Sequence, residues 1–393
     1  MRIQALKWIE EGSQWALIMT LFMLPLSITG SDIFINIAVV LSLLQCRREH
    51  YLAMLKHPLT PWALSLFVLM MLGTLWSTAP IGMQWTAVLK YIKFAYLIVL
   101  FPVIRSKTMM FRAVYAFLLG ALIIVLISYG IFLGWIPTKM PADSIFHNHI
   151  ITSFFVAFAA YVSLYLAAQD RRFCWAYAVL FVLFTLQMFL INQGRTGMAV
   201  ELVLICLFGF QRFGWKGFVA MSLGAVIFLG VFLELDHQFK NNIHETVSSV
   251  ADYSENSETS WGFRISFAKF ALGLIEQKPV TGFGTGAFYT EFAKTGGLPG
   301  WGHYLVTPHD EYLMLASQVG LVGLLLYLIF LGRALWLTQR SSVESRCLAQ
   351  GLIVTFIIAC FCDALFFISA TGYFFITMLA VLLGTTALRK EEK

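Results

Sequence analysis

A single histidine stands out among the residues able to do chemistry. His309 lies in Pro308-His309-Asp310-Glu311-Tyr312, directly before a long apolar run. Imidazole accepts protons near neutral pH, so the pattern predicts a general base at a membrane surface, supported by Asp310 and Tyr312. An interfacial histidine without a chemical task is the alternative.

Two arginines have the surroundings of anion-binding groups. Arg195 lies in Gly194-Arg195-Thr196-Gly197 between two apolar runs, where glycines allow close approach and a guanidinium can hold a phosphate in two-pronged fashion. Arg264 opens a predicted helix after Trp261-Gly262-Phe263, where the helix N-terminus also favours an anion. The alternatives are a snorkelling Arg195 and a solvated Arg264.

Two lysines lie inside one predicted span. Lys90 and Lys93 are three residues apart and therefore share a helical face. Burying an ammonium group in a bilayer costs about 2.5–3.5 kcal/mol, so an anionic partner is expected for this pair. Snorkelling to the outer interface is the alternative.

Further histidines are predicted on the same side of the membrane. His147 and His149 are expected to line the cavity of His309. A metal site is the alternative, but its ligands would come from separated segments without a recognised spacing. Those ligands would be His147, His149, His303, His309, Asp310 and Glu311.

The stretch Gly282-Phe283-Gly284-Thr285-Gly286 has the look of a nucleotide-binding loop. No strand-helix-strand unit precedes it, so we reject that interpretation. A bend that holds an outer loop against the membrane is the expected role.

The composition fixes the class of protein. The 393 residues are 59% apolar and 12% charged, which excludes ordinary cytosolic enzymes and nucleic-acid-binding proteins. The sequence predicts an all-α integral membrane protein with about twelve transmembrane helices. They fall near 14–30, 31–46, 61–77, 86–104, 113–134, 149–168, 176–193, 197–211, 217–234, 313–337, 347–365 and 370–387.

The charge pattern orients these helices. Of 27 basic residues, 18 lie in the two termini and in alternate loops, which are therefore predicted to be cytoplasmic. The chain divides into helices 1–9 over 1–234, a long outer segment over 235–312 with an amphipathic helix at 264–276, and helices 10–12 with the C-terminus over 313–393.

The ordered set of motifs resembles a known family. It comprises Gly194-Arg195-Thr196-Gly197, Arg264, Pro279-x-x-Gly282-x-Gly284, and Pro308-His309-x-x-Tyr312-Leu313 before Gly320-x-x-Gly323. In order, spacing and side of the membrane, these motifs resemble the O-antigen ligases of the bacterial lipopolysaccharide pathway.

The resemblance implies a GT-C-type glycosyltransferase of the inner membrane that needs neither a metal nor another cofactor. It would move a glycan from undecaprenyl pyrophosphate to lipid A–core on the periplasmic face. His309 matches the family's essential histidine, and Arg195 and Arg264 match arginines associated with the pyrophosphate. Lys90 and Lys93 are further candidates for binding the donor pyrophosphate. Family members often have Asn after that histidine, where this chain has Asp310.

Two other functions are alternatives. An O-antigen or exopolysaccharide polymerase would use the same donor. A transporter or flippase would carry buried charges along a central pathway and mostly short loops, whereas here the suggestive residues cluster on one face.

The charge pattern predicts which positions are accessible from outside the cell. Cysteines introduced at Glu255 and Gly300 should react with a membrane-impermeant thiol reagent in intact cells, and one at Ser342 should not. Labelling of the Ser342 position alone would invert the topology.

Overall fold

The computed structural model describes residues 2–45, 47–192, 194–235, 260–295 and 307–384, and within these ranges it contains helices and no strand. The helices are α1 Arg2–Met23, α2 Ile28–Leu43, α3 Arg48–Lys56, α4 Thr60–Leu72, α5 Ile81–Tyr91, α6 Lys93–Leu100, α7 Lys107–Phe132, α8 His149–Gln169, α9 Cys174–Leu190, α10 Arg195–Leu235, α11 Ser260–Gln277, α12 Ala287–Lys294, α13 Glu311–Thr338, α14 Val343–Ala359 and α15 Ser369–Leu383. A 3-10 turn, Gly73–Trp76, follows α4.

The chain is an α-helical membrane protein. Among the described residues, five helical stretches are long and apolar enough to cross a membrane, or six if the sharply bent α2 and α3 form one span. They are Ile81–Leu100, Lys107–Phe132, His149–Gln169, Arg195–Glu234 and Glu311–Thr338. Every predicted span contains a helix, but several helices are short, and the number twelve stays a prediction.

Helix α10 is a hairpin of two antiparallel segments. At Gly214 the backbone adopts φ 64° and ψ −150°, a conformation open to glycine. Beyond this turn, Ser222 Oγ donates to Cys206 Sγ at 3.5 Å, and the Phe228 ring lies 4.9 Å from that of Phe189 in α9. The predicted spans 197–211 and 217–234 correspond to these two segments.

Several predicted boundaries were wrong. The boundary predicted between the spans 14–30 and 31–46 lies earlier in the chain, because α1 ends at Met23 and Ser27 caps α2 by accepting from the Gly30 N–H. The predicted span 86–104 corresponds to the single stretch Ile81–Leu100, which begins and ends earlier than predicted. The predicted span 347–365 ends early, because α14 stops at Ala359.

The glycine-rich stretch joins the outer segment to the end of α4. The Thr285 hydroxyl donates to the Met70 carbonyl at 2.7 Å, and the Thr285 N–H donates to the Gly73 carbonyl at 3.1 Å. The Ser77 hydroxyl in turn donates to the Thr285 carbonyl at 2.8 Å. Residues 282–286 are thereby fixed to the turn that follows α4.

The same stretch also binds a break in α13. At Val319 and Gly320 the α13 backbone leaves helical geometry, which frees carbonyl groups for other donors. The N–H groups of Phe283 and Gly284 donate to the carbonyls of Ser317 and Gln318 at 2.9 and 2.8 Å. This packing agrees with the predicted bend that holds the outer segment against the membrane helices.

Replacing Gly284 should destabilise this junction. Gly284 has φ 94°, and an added Cβ would overlap the backbone of Ser77. Backbone strain alone costs about 1–3 kcal/mol, so Gly284→Ala should lower the apparent unfolding temperature in detergent. Gly273→Ala is the matched control, because this helical glycine has open space around it. Equal unfolding temperatures for the two variants would contradict the structural role.

Candidate active site

His309 is paired with a buried aspartate from a distant part of the chain. Its Nδ1 lies 3.2 Å from Asp363 Oδ1, and the two side chains are 31% and 7% exposed. We assign the ring proton to Nδ1, where it is donated to the carboxylate, so that Nε2 is left as a proton acceptor. A partly exposed imidazole backed by a buried carboxylate is suited to act as a general base.

Asp363 was missed from the sequence. The span predicted over 347–365 placed it inside a helix, whereas it lies in the loop 360–368 between α14 and α15. Its Oδ1 also accepts from the Ala364 N–H at 2.8 Å. A lone acid in an apolar run was the available signal, since such residues are costly in membrane segments and often functional.

The predicted supporting residues next to His309 have structural contacts. Asp310 caps α13, because its side chain accepts from the Leu313 N–H at 2.8 Å. Burial raises the pKa of Asp310, and bonds from backbone N–H groups oppose that shift. The Tyr312 hydroxyl donates to the Ile357 carbonyl at 2.8 Å and ties α13 to α14. The contact to the His309 ring thus comes from Asp363 and not from Asp310.

Glu311 is fully buried at the start of α13. Its Oε1 accepts from the Tyr91 hydroxyl at 2.9 Å. Its Oε2 accepts from the backbone N–H groups of Phe366 and Phe367 at 2.9 and 3.3 Å. The carboxylate therefore binds the same loop that carries Asp363.

The two predicted pyrophosphate lysines have different surroundings. Lys93 is 1% exposed, and its ammonium donates to the carbonyls of Phe366 and Ile368 at 2.5 and 3.1 Å. Lys90 is half-buried and donates to Ser369 Oγ at 3.1 Å. Lys93 therefore binds backbone atoms in the protein interior, while Lys90 stays partly accessible.

Arg195 begins α10 beside the loop 360–368. It is half-buried, and the two residues after it, Thr196 and Gly197, line a small apolar cavity. The far wall of this cavity includes Ala359 and Leu365, which flank Asp363 in the chain. The start of α10 and the loop of the His309 partner therefore face a common space.

Arg264 lies in the second turn of α11, because the helix begins at Ser260 and not at Arg264 as predicted. Phe267 is three residues later on the same helical face, and its ring centroid lies 6.1 Å from that of His309. Phe267 also packs against Phe292 of α12 at 5.6 Å. Helix α11 thus carries Arg264 to the His309 end of the bundle.

The histidines before α8 have separate surroundings. His147 is buried, and its Nε2 donates to the Leu24 carbonyl at 2.9 Å, which ties it to the turn between α1 and α2. Burial lowers the pKa of His147 and favours the neutral ring. His149 is the first residue of α8, and the Asn148 side chain caps this helix. The structure shows no contact of either ring with His309.

Comparison with known proteins places the central motifs in one family. A family model described as O-antigen ligase matches residues 179–328. This segment is similar to the O-antigen ligase family. No curated protein matches the chain.

The O-antigen ligase segment contains Arg195, Arg264 and His309. Lys90, Lys93 and Asp363 lie outside it, so the site combines residues of the matched segment with residues from both sides of it. Members of the family are glycosyltransferase-like ligases and polymerases, and the resemblance inferred from the motifs is confirmed.

The residues considered as metal ligands lie partly inside and partly outside the part of the chain that the structure describes. Within the part of the chain that the structure describes, no three His, Cys, Asp or Glu side chains come together as metal ligands would. His303, one of the ligands considered, lies outside the described residues. Transfer activity in excess EDTA separates the metal and base hypotheses.

The role of Asp310 as a helix cap predicts a difference between two substitutions. Asp310→Ala removes the acceptor for the Leu313 N–H and should cost about 0.5–2 kcal/mol, whereas Asp310→Asn keeps a capping oxygen. Thermal unfolding in detergent should therefore be lowered by the alanine and nearly unchanged by the asparagine. Equal loss in both variants would show that the charge matters more than the cap.

Proposed function

We propose that this protein is an O-antigen ligase. It transfers a glycan from undecaprenyl pyrophosphate to a sugar hydroxyl of lipid A–core, at the periplasmic face of the bacterial inner membrane. The observation that carries the proposal is the pairing of His309 with Asp363, with His309 inside the O-antigen ligase segment that also contains Arg195 and Arg264. The enzyme is a multi-pass GT-C-type glycosyltransferase with both termini in the cytoplasm.

The first half of the reaction is removal of a proton from the acceptor. His309 Nε2 accepts the hydroxyl proton while the acceptor oxygen attacks the anomeric carbon of the glycan. The positive charge that forms on the imidazole is stabilised by the Asp363 carboxylate, 3.2 Å from Nδ1. The buried position of Asp363 strengthens this interaction because water screens it little.

The second half is departure of the pyrophosphate. The bond from the anomeric carbon to the pyrophosphate oxygen breaks as the new glycosidic bond forms, which gives inversion in one displacement. Arg195 and Arg264, with Lys90, bind the leaving group and neutralise its developing charge. The energy of the pyrophosphate linkage drives transfer, so the mechanism needs neither ATP nor a nucleotide sugar.

The polymerase alternative uses the same groups and differs in the acceptor. Deletion of the gene in its bacterial host, followed by gel analysis of lipopolysaccharide, distinguishes the two functions. A ligase predicts loss of long-chain caps with accumulation of lipid-linked polymer. A polymerase predicts caps of a single repeat, and unchanged lipopolysaccharide would exclude both.

Removing the base should abolish transfer without preventing donor binding. His309→Ala should reduce the transfer rate of purified protein about 10²–10⁴-fold, and Asp363→Asn should reduce it strongly because the ring loses its charged partner. Asp310→Asn is the matched control. Asp310 is next to His309 but its side chain caps α13, so this variant should keep most activity. Activity should persist in excess EDTA.

Two outcomes would contradict the base assignment. Near-normal transfer by His309→Ala would show that His309 is not the base. Loss of activity in EDTA with recovery on adding a divalent cation would return Asp310, Glu311 and His303 to consideration as metal ligands.

Arg195 should respond to geometry as well as to charge. Arg195→Lys keeps the cation but loses the planar two-pronged contact, so it should impair lipopolysaccharide capping substantially. Arg195→Ala should be at least as damaging, with protein levels checked by immunoblot. Full capping by both variants at normal expression would reduce Arg195 to an interfacial anchor.

A further inference from the structure

The loop 360–368 between α14 and α15 is held by two buried charged side chains. The Glu311 carboxylate accepts the N–H groups of Phe366 and Phe367, and the Lys93 ammonium donates to the carbonyls of Phe366, Phe367 and Ile368. The two side chains come from α13 and α6, and both bind backbone atoms. They therefore fix the path of the loop.

Both charges depend on this loop for their hydrogen bonds. Lys93 is 1% exposed and Glu311 is 0% exposed, so water cannot replace the loop as their partner. Beyond the loop, the Glu311 carboxylate accepts only the Tyr91 hydroxyl among the bonds seen in the described residues. Movement of the loop would leave Lys93 without its carbonyl partners and Glu311 with the Tyr91 hydroxyl alone, which makes the observed loop position strongly favoured.

Glu311 also joins the loop to the histidine segment. It is two residues after His309, and its own N–H donates to the Cys360 carbonyl at 2.9 Å at the start of the loop. Asp363 lies between Cys360 and Phe366, the two points at which Glu311 binds the loop. His309 has φ 53°, which makes it the sole non-glycine residue with positive φ among those described, and such a backbone needs support from its surroundings.

We propose that Lys93 and Glu311 are positioning residues that hold Asp363 against His309, an inference that rests on the proposed function for its kinetic consequences. Lys93 then serves the base and not the donor pyrophosphate. Its ammonium would have to leave several buried carbonyl partners to reach a phosphate, whereas Lys90 is half-buried and donates to a single hydroxyl, Ser369 Oγ.

Steady-state kinetics of the purified full-length protein separate the two roles of Lys93. Lys93→Met and Glu311→Gln should each lower kcat about tenfold to a hundredfold, because misplacing a catalytic group by an ångström has an effect of this size. The KM for the lipid-linked donor should stay within about twofold of wild type. Lys90→Met should instead raise that KM.

The controls address folding. Thr355→Val removes a buried hydroxyl of α14 that bonds only within its own helix, to the Gly351 carbonyl, and should leave kcat unchanged. Tyr91→Phe removes a single hydrogen bond to Glu311 and should lower kcat less than Glu311→Gln. If Lys93→Met does not accumulate, Tyr91→Phe still tests whether Glu311 holds the loop 360–368. A raised donor KM with unchanged kcat in Lys93→Met would make Lys93 a pyrophosphate ligand and overturn the proposal.

A spectroscopic measurement tests, without requiring catalysis, whether Lys93 and Glu311 hold Asp363 against His309. In protein labelled with ¹⁵N-histidine, the His309 signals are those lost in His309→Ala, and their shifts report which ring nitrogen carries the proton. Lys93→Met should shift the ring toward the Nε2-protonated tautomer, as Asp363→Asn should, whereas Thr355→Val should not. Wild-type shifts in Lys93→Met would overturn the positioning role of Lys93 even if transfer is observed. Absence of transfer by wild type with the expected shifts would instead contradict the proposed function.

Discussion

The end of the bundle that carries His309 depends on the burial of the Glu311 carboxylate. Placed in the protein interior, this group needs several donors at once, and it obtains them from Tyr91 and from two backbone N–H groups of the loop 360–368. Three separate parts of the chain are thereby joined: α5, the start of α13, and the connection from α14 to α15. Asp363 and His309 lie within the two parts joined most directly, so their pairing follows from the same constraint.

A second constraint brings the outer segment to this end. The stretch 282–286 inserts between the turn after α4 and the break in α13, where it binds backbone groups on both sides. Because α11 and α12 adjoin this stretch in the chain, their aromatic residues are held near the His309 ring, with Phe267 at 6.1 Å between centroids. The break in α13 is therefore useful: a regular helix would have used the carbonyls of Ser317 and Gln318 internally.

Much of this architecture was predictable, and the exceptions have physical reasons. Long apolar runs and basic loops predicted the helices, and His309, Arg195 and Arg264 were predicted because each stands in an unusual local setting. Asp363 was not, since its partner is 54 residues away and its loop is as apolar as a helix. The three-residue spacing of Lys90 and Lys93 predicted a shared role, but Lys93 binds the Phe366 carbonyl, 273 residues away in the chain. Contacts of this range are set by packing, which local patterns do not report.

Under the proposed function, the arrangement also accounts for a base that works near anion-binding groups in a membrane protein. An imidazolium would then form at the same end of the bundle as two arginines, and like charges in a poorly screened site repel. Asp363 offsets this repulsion from the side of the ring opposite Nε2. The carboxylate must stay in place for this to work, and its loop is held by Glu311 and Lys93, which bind its backbone atoms. In the proposed mechanism, the charges that hold the loop are therefore separate from the charge that stabilises the base.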